Sequence, residues 1–397
     1  MKKLVTLLLS GVLALSLVGC GGSSNSDTNN ESNTAGGTSD MKIAMVTDSG
    51  DITDQSFNQT TYESCKKFSD ENNVSFQYYK PESDSDEARN ASIDQAVADG
   101  ANIIVLPGYM FADAIVKQSG NYPDVKFVAL DVSAGDICEK GVGEGYTYNP
   151  SDYNVADYYN TNNTYLCNYK EELSGYMAGY AAVKLGYRHL GFLGGMSVPA
   201  VNRFGYGYIQ GANDAAKELG ITDQVSVEYV CGGQFYGDPD ITAYMDTWFG
   251  SKGVEVVFAC GGGIYTSAAE AAAKVGGKII GVDSDQSATI NTYGENITIT
   301  SAMKGLGPTI IKVLTDIKDG NWANYTGRID TLGLASENPE ENYVQLPLDT
   351  TLWGDGFSQD DYKALVKKMY AGEITVSDDI SQLPTTEIAV TDYGSIK

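Results

Sequence analysis

From residue 41 onward, short apolar runs alternate with longer stretches whose apolar positions recur at helical spacing. The runs lie at 43–46, 74–79, 103–106, 127–130 and 164–169, and the helical period at 56–69, 86–99 and 111–119. Near-continuous apolar strands separated by amphipathic helices predict a parallel sheet covered on both faces. Asp99-Gly100 closes one helix with glycine on its C-terminal side. Residues 136–163, rich in Tyr, Asn, Asp and Gly, break the rhythm and read as a surface insertion. The alternation then restarts with a helix at 171–185 stopped by Gly186, strands at 189–193, 225–230, 254–259, 278–282 and 297–300, and helices at 205–219, 241–250 and 266–275. Two successive α/β units predict a bilobed protein with its site between the lobes, at the carboxyl ends of strands. The first lobe is expected to take 41–168 with about 291–320, and the second 169–290 with about 321–397.

The first forty residues carry a different pattern. Lys2 and Lys3 precede an apolar segment, 4–18, that is too short to span a bilayer and reads as a secretory leader ending near residue 19. It runs into Leu17-Val18-Gly19-Cys20, similar to the lipobox of bacterial lipoproteins, whose Cys is acylated and becomes the new N-terminus. Each buried acyl CH₂ contributes roughly 0.8 kcal/mol, so two or three chains anchor firmly. Residues 21–40 hold no apolar side chain larger than Ala and read, with Cys20, as a flexible tether. The expected location is the outer face of the cell membrane.

A formal charge of −26 argues against nucleic acid or anionic lipid as a partner. Beyond Cys20, five cysteines (Cys65, Cys138, Cys167, Cys231 and Cys260) are irregularly spaced, which does not fit a disulfide framework, although Cys138 and Cys167 remain a candidate pair. Metal-ligand spacing is missing and His189 is the one histidine, so neither a metal, a cofactor nor His-based catalysis is expected.

Unusual residues collect where strands end: Asp48 to Asn58, Pro107-Gly108-Tyr109, Asp131, Gly194-Gly195-Met196, Gly232-Gly233-Gln234-Phe235, Gly261-Gly262-Gly263 and Asp283-Ser284-Asp285-Gln286. The GxxxxGK[S/T] pattern does not occur, and the loop after the first strand is acidic where a dinucleotide fold needs glycines for a pyrophosphate. Carboxylates at apolar strand ends suit a polyhydroxylated ligand, because each accepts charge-assisted hydrogen bonds from hydroxyls. Asp283 reads either as such an acceptor or as a helix cap, and Lys304 either as a cleft cation or as a solvated lysine. Phe57 and Phe235 are candidate stacking faces for a flat ring, and Phe57 also suits the core of the first helix. Asn58 fits a base edge or a helix cap equally well. Asp48, Asp51 and Asp54 form a carboxylate cluster with neither nucleophile nor proton partner, so no enzyme is expected.

KIAMVTDSGDITDQSFNQ, GGMSVPAVNRFGYGYIQG, GVDSDQ and ITITSAMK resemble the basic membrane protein family, over about 41–320 and more weakly 361–376. Its members are lipid-anchored substrate-binding proteins of ABC importers, and several bind purine nucleosides. The resemblance implies the type I periplasmic-binding fold. It also implies that Phe57 and Phe235 flank a base, Asn58 contacts its edge and Asp131 sits beside base or ribose. Asp283 takes ribose hydroxyls with Lys304 beside it, Asp48 lines the cleft, and Gly261 and Gly262 bring backbone close to the ligand. Ser49-Gly50 and Asp51 depart from the family's GG, and residues 136–163 and 335–397 fall outside its pattern. The expected function is therefore a monomeric nucleoside receptor that delivers its ligand to ABC permease subunits. The alternatives are a receptor for a sugar or furanose signal, a surface sensor without a transport role, and a nucleoside hydrolase.

Overall fold

The computed structural model describes residues 40–397; the leader, Cys20 and the tether through residue 39 lie outside the described residues. The first apolar runs become β1 (Lys42–Val46), β2 (Ser75–Tyr79), β3 (Ile103–Pro107), β4 (Lys126–Leu130) and β5 (Thr164–Tyr169). Between them run α1 (Phe57–Asn72), α2 (Asp86–Ala98), α3 (Ala112–Asn121) and α4 (Ala134–Val142). The second half supplies α5 (Glu171–Lys184), β6 (His189–Gly194), α6 (Pro199–Leu219), β7 (Ser226–Cys231), α7 (Pro239–Thr247), β8 (Val256–Cys260), α8 (Tyr265–Val275) and β9 (Lys278–Asp283). A helical turn, α9 (Ser287–Ile290), leads to β10 (Thr298–Lys304), α10 (Leu306–Lys318), β11 (Ile329–Leu332), β12 (Val344–Gln345), α11 (Gln359–Tyr370) and β13 (Ala389–Ser395).

The strands form two sheets, β11-β5-β4-β3-β1-β2 and β12-β10-β9-β8-β6-β7-β13, parallel throughout except where β12 runs against β10. Coverage on both faces explains the unbroken apolar runs. Ala44, Val46, Ile104 and Leu106 pack with Ile93, Phe111 and Ile115 on one face, while Ile43, Ile103 and Val105 join Phe68 on the other. Each Val, Leu, Ile or Phe among them contributes about 1.5–3 kcal/mol by leaving water.

Two strands sit in the opposite sheet from the one expected. Thr298–Lys304, expected in the first lobe, pairs with β9 in the second sheet. Ile329–Leu332, expected in the second lobe, pairs with β5 in the first. Helix α10 does lie on the first lobe, where Lys318 Nζ donates to Asn72 Oδ1 at 2.8 Å. The physical reason is that neither strand carries a pattern specific to one sheet: Ile329–Leu332 is a four-residue Ile-Asp-Thr-Leu edge strand and Thr298–Lys304 mixes Thr, Ser and Lys with apolar residues, so pairing is decided by where the chain crosses. It crosses three times, at β5–α5, β10–α10 and β11–β12. The crossings are laced by backbone hydrogen bonds, Lys170 N to Leu332 O at 2.9 Å, Tyr343 N to Gly333 O at 3.0 Å and Gly305 N to Tyr343 O at 2.6 Å.

The stretch read as an insertion begins as regular structure, because Ser133 and Asp136 form a capping box on α4; further along, Tyr148 is 83% exposed. Cys138 and Cys167 are both free and buried, so the candidate pair does not form. Helices α5 and α6 pack backbone to backbone: a Cβ on Gly179 would lie 2.0 Å from Tyr208 O, and one on Gly211 2.0 Å from Tyr176 O. This close approach sets the charged residues at their N-terminal ends, Glu171 and Arg203, against each other.

Candidate functional site

In each sheet the strand order reverses once, between β1 and β3 in the first and between β6 and β8 in the second. Loops leaving the strands at such a reversal splay apart and open a crevice. The two crevices face each other across one cavity with about 840 Å³ of empty space, part of it continuous with solvent. All of Asp48, Phe57, Asn58, Asp131, Phe235, Gly261, Gly262, Asp283 and Lys304 line it.

The loop after β1 is held by its own carboxylates. Asp54 accepts from the backbone N–H of Ser56, Asn58 and Gln59 at 2.9, 2.9 and 3.0 Å, capping α1. Asp48 Oδ1 accepts from Gly50 N at 2.7 Å and from Asn58 Nδ2 at 2.9 Å. Asn58 Nδ2 also donates to Asp54 Oδ2 at 3.0 Å, and its Oδ1 accepts from Asp48 N at 3.3 Å. Both ends of the Asn58 amide, expected to contact a base edge, are engaged within the loop, although the residue does line the cavity. A Cβ at Gly50 would lie 2.3 Å from Asn58 Nδ2, so the tight loop needs glycine there. Burial pushes the Asp48 carboxyl up to about 6 and raises that of Asp54.

The cavity floor is charged and bridges the lobes. Lys304, at the end of β10, is buried and stands 2.5 Å from Asp131 Oδ2, 3.5 Å from Glu171 Oε1 and 3.6 Å from Asp283 Oδ1. It is no solvated lysine. Asp131, following β4 in the first lobe, and Asp283, ending β9 in the second, both hold left-handed backbone, with φ of 59° and 64°. Such conformations are strained for non-glycine residues and gather at sites where the surroundings impose them. Asp283 is not a helix cap; its Oδ2 accepts from Ser56 Oγ at 2.5 Å, across the lobes. Burial pushes the Asp131 carboxyl up to about 7 against the pull of Lys304. Burial opposes charge on Lys304, yet Asp131, Asp283 and Glu171 outweigh it and raise its pKa.

Aromatic groups complete the lining. Lys304 Nζ lies 4.6 Å from the Phe57 ring centroid, a cation–π distance. Phe235 rests on glycine: a Cβ at Gly195 would lie 2.4 Å from its ring, one at Gly261 2.9 Å from its ring, and one at Gly262 2.8 Å from its carbonyl oxygen. Gly261 and Gly262, expected to admit the ligand, thus make room first for Phe235.

Glu171 and Arg203 were not singled out from the sequence, and Ser56 stood there only as one residue of the polar cluster from Asp48 to Asn58. Arg203 Nε donates to Glu171 Oε2 at 2.6 Å. Both residues read as ordinary helix charges until the helix packing joins them; the available signal was Arg203's place in the strand-end segment GGMSVPAVNRFG. Among the described residues no group of three or more His, Cys, Asp or Glu could hold a metal ion.

Two parallel-sheet lobes, three crossings and a cavity between opposed strand ends define a type I solute-binding protein. A family model described as "ABC transporter substrate-binding protein PnrA-like" matches residues 41–376, and the chain belongs to this Bmp family. The match runs through residue 376, so most of the C-terminal section expected to lie outside the family pattern falls within it. The chain is 27% identical over 329 residues to the ABC transporter nucleoside-binding protein BmpA of Lactococcus lactis subsp. cremoris, covering 78% of this chain and 82% of that protein. It is 27% identical over 305 residues to basic membrane protein B of Borreliella afzelii, covering 75% and 80%. An ABC transporter solute-binding protein from Conexibacter woesei shares the fold, with a TM-score of 0.61 at 21% identity over 85% of this chain and 99% of that one. As an ABC transporter substrate-binding protein, the chain has a small-molecule ligand and permease partners.

Proposed function

We propose that this chain is a monomeric nucleoside receptor, held at the outer face of the cell membrane through lipidated Cys20, that closes on its ligand and hands it to the permease. One observation carries the reading: the cavity combines two aromatic rings, Phe57 and Phe235, with a buried carboxylate oxygen, Asp131 Oδ1, that has no hydrogen-bond partner. Flat rings suit a base, and an unpartnered buried acceptor calls for a ligand donor. The printed name of the Lactococcus relative supports the same ligand class. In this reading Phe57, backed by Lys304, stacks on one face of the base and Phe235 on the other. Asp131 meets the base edge, Asp283 takes ribose hydroxyls, and Asn58 keeps Asp48 and Asp54 in place at the cleft wall. Closure is a hinge motion at the three laced crossings.

Isothermal titration with inosine, guanosine, adenosine, uridine and a set of hexoses tests the ligand class. Tight 1:1 binding of at least one nucleoside is expected, and heat from a hexose alone overturns the reading. For the anchor, Cys20→Ser is expected to move the protein from the membrane fraction into the medium.

A further inference from the structure

Four charged residues touch in a row across the cavity floor. Asp131 Oδ2 meets Lys304 Nζ at 2.5 Å, Lys304 Nζ lies 3.5 Å from Glu171 Oε1, and Glu171 Oε2 accepts from Arg203 Nε at 2.6 Å. In the interior of the row Lys304 faces Asp131, Glu171 and Asp283, and Glu171 is fully buried, its Oε1 without a hydrogen-bond partner but 3.5 Å from the Lys304 ammonium and outside the cavity lining. The two ends do reach the cavity with free polar atoms. Asp131 Oδ1 is buried without a partner, and the hydrogen bond of Arg203 among the described residues uses Nε and leaves both Nη groups unengaged. Asp131 and Arg203 both line the cavity, from opposite lobes.

We propose that Arg203 is a ligand-contacting, specificity-determining residue, that Glu171 positions it, and that with Asp131 it selects a base carrying a lactam edge, an N–H beside a C=O. The inference rests on the nucleoside reading and adds the class of base. A guanidinium donates and never accepts, whereas a carboxylate in its ionised form, which the 2.5 Å contact of Asp131 Oδ2 with the Lys304 ammonium favours, accepts and never donates. The ligand edge must therefore offer Arg203 an acceptor and Asp131 a donor. A carbonyl oxygen has two lone pairs for the two Nη groups, while the ring nitrogen of a 6-aminopurine has one in the ring plane. Lys304 is no substitute donor, since three carboxylates surround it. Glu171 fixes the guanidinium through Nε, so the planar fork is oriented before the ligand arrives and loses less freedom on binding. Backbone contact between α5 and α6 at Gly179 and Gly211 brings Glu171 within reach of Arg203.

The test is a titration ladder on the unmutated protein with inosine, adenosine, purine riboside and 1-methylinosine. Inosine is expected to bind about 5- to 150-fold more tightly than adenosine, the range for a paired polar contact to a base edge. Purine riboside, lacking the oxygen, and 1-methylinosine, lacking the N–H, should fall at least as far. Arg203→Lys, which keeps charge beside Glu171, is expected to bring the inosine-to-adenosine ratio close to one. Glu171→Gln should weaken inosine in the parent but have little further effect in the Arg203→Lys background, a coupling that general destabilisation does not produce. Adenosine binding as tightly as inosine, or an unchanged ratio in Arg203→Lys, overturns the proposal; if that variant fails to fold, the ladder on the parent protein decides. Failure of every nucleoside to bind overturns instead the nucleoside reading on which this one rests.

Discussion

At the scale of single residues, the cavity depends on positions where side chains are small or already committed. Gly195 and Gly261 are glycines because Phe235 lies where their Cβ atoms would be. Gly195→Ala is therefore expected to displace the ring and weaken ligand binding, while the unfolding temperature changes little because Phe235 is only partly buried. Phe57 carries a more direct load. Phe57→Ala should weaken nucleoside binding by about 1–3 kcal/mol, the worth of one stacked base, as read by isothermal titration; unchanged affinity removes the stacking role. Phe57 and Phe235 were legible as candidates because aromatics stood among polar and glycine residues at strand ends. Asn58 was legible as a cleft residue but not in its role, because its partners Asp48 and Asp54 come from the fold of the loop.

At the scale of elements, α5 and α6 determine how the charged floor is built. Their glycines allow backbone contact, and an added methyl group has no space to enter. Gly179→Ala should destabilise the chain by about 1–3 kcal/mol through overpacking, measurable by urea denaturation. Since the same contact seats Glu171 against Arg203, ligand affinity should fall along with stability. A loss of stability with unchanged affinity would separate the helix contact from the site. The strand exchange between β10 and β11 belongs to this scale too. Each is short and mixed in polarity, and nothing in its period names the sheet it joins; the hydrogen-bonded crossings at Lys170, Gly305 and Tyr343 do.

For the whole molecule, carboxylates outnumber basic groups 52 to 26, and a few of them are buried. Burial pushes Asp48 up to about 6 and Asp131 up to about 7, while burial and then Glu171 push Glu172 up to about 7. A carboxyl whose folded pKa lies above its unfolded value stabilises the fold fully below the unfolded pKa, near 4. That contribution is lost as pH rises through the folded pKa, here between about 4 and 7. The ligand-free protein is therefore expected to unfold at a higher temperature at pH 5.5 than at pH 8. Glu172→Gln is the sharper check, because Glu172 Oε2 is buried without a partner and the residue does not line the cavity. It should raise the unfolding temperature at pH 8 and flatten the pH dependence between 6 and 8; an unchanged slope assigns that dependence to the other groups.

The alternation of strands and helices, the two-lobed α/β class and the strand-end residues that line the cavity follow from the amino-acid order alone. Apolar period and turn chemistry are local properties, and they put Asp48, Asp131, Phe235 and Asp283 at strand ends whatever the topology. Folding in three dimensions was needed to reveal which sheet β10 and β11 join, that the Asn58 amide is engaged within its own loop, that Lys304 is enclosed by three carboxylates, and that Glu171 and Arg203 meet. Apart from the Asn58 contacts, which stay within ten positions, these join residues tens to more than a hundred positions apart. Long-range pairing energy selects those distant contacts, and the fold of the loop selects the local ones.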